Sequence, residues 1–218
     1  MTYEMTEQEK QNILAAIKNE TPIIVQSSTL STDTIMYIGE VISYYFSALD
    51  KDDLIDHVKY CVQELATNAK KANTKRLYFA EKGLDLFNKD EYEKGMENFK
   101  EETFSNIDSY MEKLEDAGLY IKFSIQKIEN EIIIEIRNNS VLTEFEFVRI
   151  LEKLEHSKHI VSTQEAFDQI LDNSEGAGLG IIIMILMLKK SGLSEKNLSF
   201  IKGKDETIVR LTVDLTQN

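Results

Sequence analysis

The feature that most constrains this chain is a glycine-rich stretch that runs directly into a long apolar segment. Residues 175–181 read Glu-Gly-Ala-Gly-Leu-Gly-Ile, and the apolar segment continues to Leu188. Glycine lets the backbone turn sharply and bring its N–H groups close to a ligand, whereas the apolar segment predicts a buried helix. Backbone donors and the positive end of the helix dipole converge where such a loop enters a helix, so the pattern favours a bound phosphate.

An alternative interpretation of the glycines stays open at this point. The spacing G-x-G-x-G matches neither the dinucleotide-binding pattern G-x-G-x-x-G nor the P-loop, and no strand signal precedes it. A flexible loop in front of a core helix would have the same composition. The choice between the two therefore depends on what the rest of the chain brings to this loop.

The composition narrows the classes of function. With 218 residues, of which 42% are hydrophobic, the chain can bury a substantial core, as one large domain or as a domain with a helical elaboration. The formal net charge of -13 disfavours binding to nucleic acid or to an anionic membrane surface, because both need a basic face. We therefore expect any phosphate ligand to be small and accompanied by a cation.

Cysteine usage and the apolar segments predict a cytoplasmic protein. Cys61 is the only cysteine, which excludes an internal disulfide and a multi-cysteine zinc site and fits a reducing compartment. No basic and apolar leader follows Met1. The longest apolar run, 181–188, would span about 12 Å as a helix, against about 30 Å for a bilayer core. The run is therefore expected to be core, with no membrane partner.

Helical periodicity predicts three helices in the first third of the chain, at 6–19, 33–49 and 54–72. The third helix carries the polar residues of greatest interest. Glu64 and Asn68 are four residues apart, about 40° around the axis and one turn along it, so both can face one ligand. A solvated helix face is the alternative interpretation of these polar positions.

Five segments have the alternation or the β-branched composition of strands: 23–25, 120–127, 131–137, 198–202 and 207–215. The second and third flank Glu129-Asn130 and predict a β-hairpin. Helices and antiparallel strands in this order predict an α+β fold with two layers, a sheet covered by helices.

Two further segments interrupt this arrangement. The charged segment 76–118, with sparse aromatic and aliphatic residues, predicts two or three surface helices that form an insertion. The segment 141–175 has helical character and leads from a turn at Asn138-Asn139-Ser140 to the glycine stretch. A connection of this length in front of a ligand-binding loop is often a lid. We expect one domain, 1–218, with a helical insertion and a lid.

Four segments, taken in order, resemble the GHKL, or Bergerat-fold, ATPase superfamily, which includes gyrase, MutL, histidine kinases and the anti-sigma-factor serine kinases. The segment Glu64–Ala72 is similar to the N box of that family, and Gly176–Ile181 is similar to its second glycine box. Asn138–Ser140 lies where the family usually has Asp-x-Gly. Glu206–Leu211 is similar to the family's last strand, whose threonine lies near adenine.

The resemblance covers roughly residues 20–75 and 119–215 and implies a two-layer Bergerat fold, with helices on one face of a mixed, mainly antiparallel sheet. It also implies a site for ATP and Mg²⁺. In that site Glu64 would orient or deprotonate the attacking group, as the catalytic residue, and Asn68 would bind the metal through its amide oxygen. The implied cofactor-binding residues are Asn68, Lys71, Asn138, Ser140, Gly176, Gly178, Leu179, Gly180 and Thr207.

Two positions depart from the family pattern. The family aspartate accepts a hydrogen bond from the adenine amino group, and Asn138 can still accept one, but without the assistance of a charge. Ser140 replaces a glycine that normally eases close approach of the base. We therefore expect weaker or altered nucleotide selectivity, and we expect Asn138→Asp to tighten adenine binding if that pocket is used.

The layout is closest to the stand-alone anti-sigma-factor serine kinases, because the strand 23–25 and the helix 33–49 lead into the N-box helix. The resemblance thus implies a signalling protein kinase, serine- or histidine-kinase-like, or an ATPase, acting on a partner protein as regulator or phosphoacceptor. The alternative is a degenerate, non-catalytic adaptor of this fold that presents the 76–118 helices to a partner, with or without nucleotide. The acidic net charge disfavours an ATPase acting on DNA. A homodimer is left open.

Overall fold

The computed structural model of the chain describes residues 3–160 and 179–216, which form an α+β fold around one sheet. The described α-helices are α1 (Glu7–Asn19), α2 (Thr32–Ser47), α3 (Ile55–Lys82), α4 (Lys89–Ser105), α5 (Ile107–Asp116), α6 (Glu144–Ser157) and α7 (Leu179–Lys190). The strands are β1 (Ile23–Ser27), β2 (Ile121–Ile128), β3 (Glu131–Asn138), β4 (Leu198–Lys202) and β5 (Thr207–Asp214). Short 3-10 helices at Asp52–Leu54 and Glu195–Asn197 precede α3 and β4.

The sheet has the strand order β1-β2-β3-β5-β4. All four pairings between these strands are antiparallel, so the prediction of a mixed sheet is wrong for the part of the chain that the structure describes. The predicted hairpin is confirmed, because Ile128 pairs with Glu131 across a two-residue loop. Glu129 in that loop has a positive φ of 52°, as tight hairpin loops require.

One face of the sheet builds the core. Alternate residues of β2, β3 and β5 point to the same side, and they are buried together with apolar residues of α1, α2, α3 and α7. The apolar segment of the sequence forms α7, and Met184, Ile185 and Leu188 lie within this core. No helix within the described residues is both long and apolar enough to cross a membrane.

The opposite face of the sheet carries polar side chains. At its centre the Glu135 carboxylate pairs with Arg137 at 2.6 Å and with Arg210 at 2.7 Å. Burial alone would raise the pKa of Glu135, but the two guanidinium groups outweigh burial and lower it. The charges at the centre of this face are therefore paired with one another.

The helix that carries Glu64 and Asn68 is longer than the sequence pattern predicts. We predicted that it ends at Ala72, but α3 continues for ten further residues, to Lys82, and ends where Gly83 adopts a left-handed φ of 63°. Glycine is the residue that most easily adopts this C-terminal conformation. The composition changes near Arg76 because the helix leaves the main core there, and not because it ends.

The last turns of α3 join α4 and α5 around a second, aromatic cluster. Its buried members are Tyr78, Phe79, Leu86, Tyr92 and Tyr110. Packing is tight at Gly95, where an added Cβ would overlap the ring of Phe79, which is itself buried. The two helices between Lys89 and Asp116 match the predicted helical character of this segment, while its role as an insertion stays a prediction.

Candidate functional site

The polar row predicted on α3, which consists of Glu64, Asn68 and Lys71, lies partly exposed on one side of the helix. Glu64 and Asn68 are half-buried, and Lys71 is exposed. The Asn68 amide Nδ2 lies 3.4 Å from Glu64 Oε1, which is longer than is usual for a hydrogen bond. These three side chains therefore make few interactions with other protein groups, and most of their polar atoms could bind a ligand.

The N-terminus of α7 meets this row. The helix begins at Leu179, and a Cβ added to Gly180 in its first turn would overlap the Glu64 carboxylate. Glycine is therefore what lets α7 approach α3 so closely at this point. A carboxylate beside the first turn of a helix is also favoured by the helix dipole. The contact joins the two segments that the sequence assigned to one site. Gly176 and Gly178 lie outside the described residues.

The predicted base-binding residues lie instead in a closed, buried network around Asn73. Asn73 Oδ1 accepts hydrogen bonds from Asn138 Nδ2 at 3.0 Å and from Ser140 Oγ at 2.8 Å, and Asn73 Nδ2 donates to the Tyr120 carbonyl at 3.0 Å. Thr207 Oγ1 donates to the Ser140 carbonyl at 2.6 Å. The structure thus brings three predicted residues together, at the ends of β3 and β5, but it pairs them with protein groups.

The helix α6, which forms the first part of the predicted lid 141–175, is anchored to α3. Its capping box pairs Thr143 with Glu146, and the Glu146 carboxylate also forms a largely buried ion pair with Lys75. Lys75 Nζ donates in addition to Tyr92 Oη at 3.3 Å, which ties this pair to the aromatic cluster. The later residues of the predicted lid, from 161 onward, lie outside the described part of the chain.

This ion pair perturbs the titration of its carboxyl group. Burial alone would raise the pKa of Glu146, but Lys75 and the amide and hydroxyl of Thr143 outweigh burial and lower it. Glu146 is therefore held in its charged form, and its carboxylate oxygens already interact with Lys75 of α3 and with Thr143 in the cap of α6. It stabilises the position of α6 and is not available as a catalytic base.

The C-terminal end of α6 is attached to α7. Lys189 Nζ donates to the carbonyls of Ser157, Lys158 and Ile160 at 2.8, 3.1 and 3.2 Å. A cation at these carbonyls satisfies groups that a helix end leaves unpaired and complements the helix dipole. The helix α6 is thus bound at its beginning to α3 and at its end to the helix whose first turn contacts Glu64.

The described residues offer few ligands for a metal ion. No group of three or more His, Cys, Asp and Glu side chains that could hold an ion occurs in residues 3–160 and 179–216. Asn68 and Glu64 nevertheless supply an amide oxygen and a carboxylate, the oxygen ligands that suit Mg²⁺. An ion held there would take its other ligands from phosphate oxygens and water, as Mg²⁺ commonly does. The donor set therefore fits a metal–phosphate ligand at this end of the site.

Cys61 plays no part in this site. It is fully buried in the main core, and burial raises the pKa of its thiol to about 12. Its Sγ lies 3.8 Å from the Met184 carbonyl of α7. A thiol in this state is not a nucleophile at neutral pH, which agrees with the interpretation of Cys61 as a core residue.

Asn73 is the site residue that sequence reasoning missed. It lies four residues after Ala69 on the apolar side of α3, and a polar side chain at such a position needs a buried partner. That pattern was available in the sequence, but it does not reveal that the partners are Asn138 and Ser140. The Lys75–Glu146 pair was also missed, because its members are 71 residues apart.

No protein-family model matches this chain, and no solved structure matches it. An uncharacterized protein of Treponema pallidum (strain Nichols) is 43% identical over 203 residues, which are 93% of this chain. The chain spans 40% of the length of that relative. It is thus similar to part of a longer protein.

Proposed function

We propose that the chain binds a magnesium–nucleotide complex at the junction of α3 and α7 and acts as a Bergerat-type ATPase or protein kinase on a partner protein. The observation that carries the proposal is the contact between Gly180 and the Glu64 carboxylate. It brings the two segments that resemble the N box and the second glycine box against each other. Gly180 permits this close approach, because any other residue would place a Cβ on the Glu64 carboxylate.

The residues of the junction suit the phosphate end of such a ligand. Asn68 offers an amide oxygen to Mg²⁺, and the exposed Lys71 can pair with phosphate. Mg²⁺, when bound, would neutralise charge on the phosphate oxygens. Glu64 lies one helical turn from Asn68 and is the one carboxylate of this row, so we assign it the role of orienting or deprotonating the attacking hydroxyl or water.

Titration calorimetry of the full chain with ATP and ADP, with and without Mg²⁺, tests this proposal. We expect binding that requires Mg²⁺, and we expect Asn68→Ala to weaken it by about tenfold or more, equivalent to about 1.4 kcal/mol. Asn98→Ala is the matched control, because Asn98 is an exposed asparagine on α4 and is not part of the junction between α3 and α7. If neither nucleotide binds at millimolar concentration, the proposal is wrong.

A second candidate function is a non-catalytic adaptor of the same fold, and one observation favours it. The side chains that would contact a base, Asn138, Ser140 and Thr207, are all buried and bonded within the protein. A chain that has lost nucleotide binding would still be free to present α4 and α5 to a partner. The same titration separates the two candidates, since the adaptor is expected to bind neither nucleotide while remaining folded.

A further inference from the structure

We propose that Asn73 is a positioning residue that holds the Asn138 side chain with its amide oxygen as the free end, so that the β3 end of the site reads a base by accepting hydrogen bonds. This inference rests on the proposed function. The base that such an end selects is one that presents an amino group, in preference to one with an oxo group at the same position. The observation behind it is the direction of the hydrogen bonds around Asn73.

A backbone carbonyl sets the direction of these bonds. The Tyr120 carbonyl can only accept, so the atom of Asn73 that lies 3.0 Å from it is the Nδ2 that donates. The Asn73 Oδ1 therefore lies on the other branch of the amide, where it accepts from Asn138 Nδ2 and from Ser140 Oγ. Asn73 is 0% exposed, and turning its amide over would set two oxygen atoms against each other in a buried place. Its orientation is thus fixed.

The orientation of Asn138 follows from that of Asn73. The Asn138 Nδ2, with both of its protons, lies against Asn73 Oδ1, and the Asn138 Oδ1 makes no hydrogen bond within the described residues. Among those residues, the one fully enclosed side-chain nitrogen or oxygen without a partner is His57 Nδ1, so the unbonded Asn138 Oδ1 is not enclosed. An unrestrained asparagine could turn over and present either a donor or an acceptor. Held by Asn73, Asn138 presents its oxygen.

The two hydroxyl groups beside Asn138 have the same polarity. Ser140 Oγ donates its proton to Asn73, and Thr207 Oγ1 donates its proton to the Ser140 carbonyl. A hydroxyl has one proton and two lone pairs, so each of these oxygens is left only as an acceptor. Three side-chain oxygens at the ends of β3 and β5 therefore keep lone pairs for a ligand. An amino group on the base complements them, whereas an oxo group would place lone pairs against lone pairs.

Titration calorimetry of the full chain with ATP and with inosine triphosphate, each with Mg²⁺, is the first test. The two ligands share the ribose and the triphosphate, and the amino group of adenine is replaced by an oxo group in the second. We expect ATP to bind at least about fivefold more tightly. A smaller ratio of the two affinities would overturn this inference and leave the proposed function standing. Binding of neither ligand would overturn both.

Two substitutions separate the positioning role of Asn73 from its contribution to stability. Asn73→Asp keeps an oxygen against Asn138 Nδ2, and burial favours the protonated carboxyl, which can donate to the Tyr120 carbonyl. We therefore expect its ratio of ATP affinity to inosine triphosphate affinity to stay within about twofold of the wild-type ratio. Asn73→Leu keeps the branched shape but removes that oxygen, so the Asn138 amide can turn over. We expect its ratio to fall to within about twofold of one.

The affinity ratio is the decisive measurement, because both variants are expected to be less stable than the wild type whatever the role of Asn73. A folded Asn73→Leu protein that keeps the wild-type ratio, or a folded Asn73→Asp protein that loses it, would overturn the inference. Asn68→Ala is the control at the other end of the site, and we expect it to weaken both ligands by the same factor. A ratio that falls in this control as well would also overturn the inference. Where neither Asn73 variant folds, the wild-type ratio decides.

Discussion

The two ends of the candidate site differ in how many hydrogen bonds their polar side chains already make within the protein. At the α7 end, Glu64 and Asn68 are half-buried and share one contact of 3.4 Å. At the β3 end, Asn73, Asn138 and Ser140 are buried and joined by bonds of 2.8 and 3.0 Å. The side chains of the first end are loosely held, whereas at the second end Asn73 Oδ1 accepts two hydrogen bonds that help to hold the fold together.

The same helix supplies both ends. Asn68 and Asn73 lie five residues apart on α3, which places them on different sides of the helix, about 140° apart. One asparagine faces the α7 junction and the other faces the ends of β2 and β3. Residue type alone therefore does not distinguish a ligand-binding asparagine from a structural one, but the side of the helix does.

The largest effect expected from this comparison is a difference in stability between Asn73→Ala and Asn68→Ala. The first change leaves the Asn138 amide, the Ser140 hydroxyl and the Tyr120 carbonyl without their partner, so we expect a loss of about 3 kcal/mol of unfolding free energy. The second removes a half-buried side chain with one long contact, so we expect a change within about 0.5 kcal/mol. Urea denaturation of both variants measures this difference.

Equal losses of unfolding free energy in Asn73→Ala and Asn68→Ala would contradict this comparison. Equal losses would mean that Asn68 is as structural as Asn73 and that its proposed role in metal binding has no special support. A small loss for both would mean that the Asn73 network adds little to stability and can open for a ligand.

Much of the fold could be predicted because its signals are local. The strand β4 was predicted with the limits observed, Leu198–Lys202, and β3 and β5 within one residue at each end, since alternation directly reflects which face is buried. The end of α3 was wrong because a fall in hydrophobicity was interpreted as a helix end. The aromatic cluster that Tyr78 and Phe79 join could not be inferred from that segment alone.

The candidate site was predictable only in part, for the same reason. Glu64 and Asn68 are neighbours on one helix, so their spacing predicted that they face one ligand. The closure of the β3 end depends on contacts between residues 65 and 67 positions apart, Asn73 with Asn138 and Asn73 with Ser140. Local patterns carry no information about such pairings. The family resemblance placed Asn138 and Ser140 in the site but did not predict that Asn73 would bond to both.

The next largest effect on stability is expected at α6, which is joined to α3 by the ion pair between Glu146 and Lys75. The folded-state pKa of Glu146 is lowered, so the pair contributes stability above the unfolded-state pKa of about 4.3 and loses it as pH falls through the folded-state value. We expect Glu146→Gln to lose about 2 kcal/mol at pH 7, because an uncompensated Lys75 then remains largely buried. This difference from the wild type should shrink below about pH 4. Denaturation at several pH values measures it.

Glu144→Gln is the matched control for this change. Glu144 lies in the same first turn of α6 and pairs with Lys202, but its side chain is 81% exposed. Exposed ion pairs contribute little, so we expect a change within about 0.5 kcal/mol at any pH. A difference between Glu146→Gln and the wild type that is independent of pH would show that the carboxylate charge does not hold α6 in place.

A small effect on stability is expected for Gly180→Ala, the variant that tests the α7 end of the site most directly. The added Cβ overlaps only the carboxyl end of the flexible Glu64 side chain, which can turn away, and alanine favours a helix more than glycine does. We therefore expect a change in unfolding free energy within about 1 kcal/mol, together with displacement of the Glu64 carboxylate from the first turn of α7.

Gly95→Ala is the contrasting control, because its Cβ would overlap the buried ring of Phe79, which cannot turn away. We expect that variant to lose about 1–3 kcal/mol through overpacking and to bind nucleotide normally once folded. Gly180→Ala is expected to remain folded while any phosphotransfer or hydrolysis activity falls, since the displaced Glu64 no longer faces the attacking group. Full activity in a folded Gly180→Ala protein would show that the contact between α7 and Glu64 is only packing. The α7 end would then lose the observation on which its function is proposed.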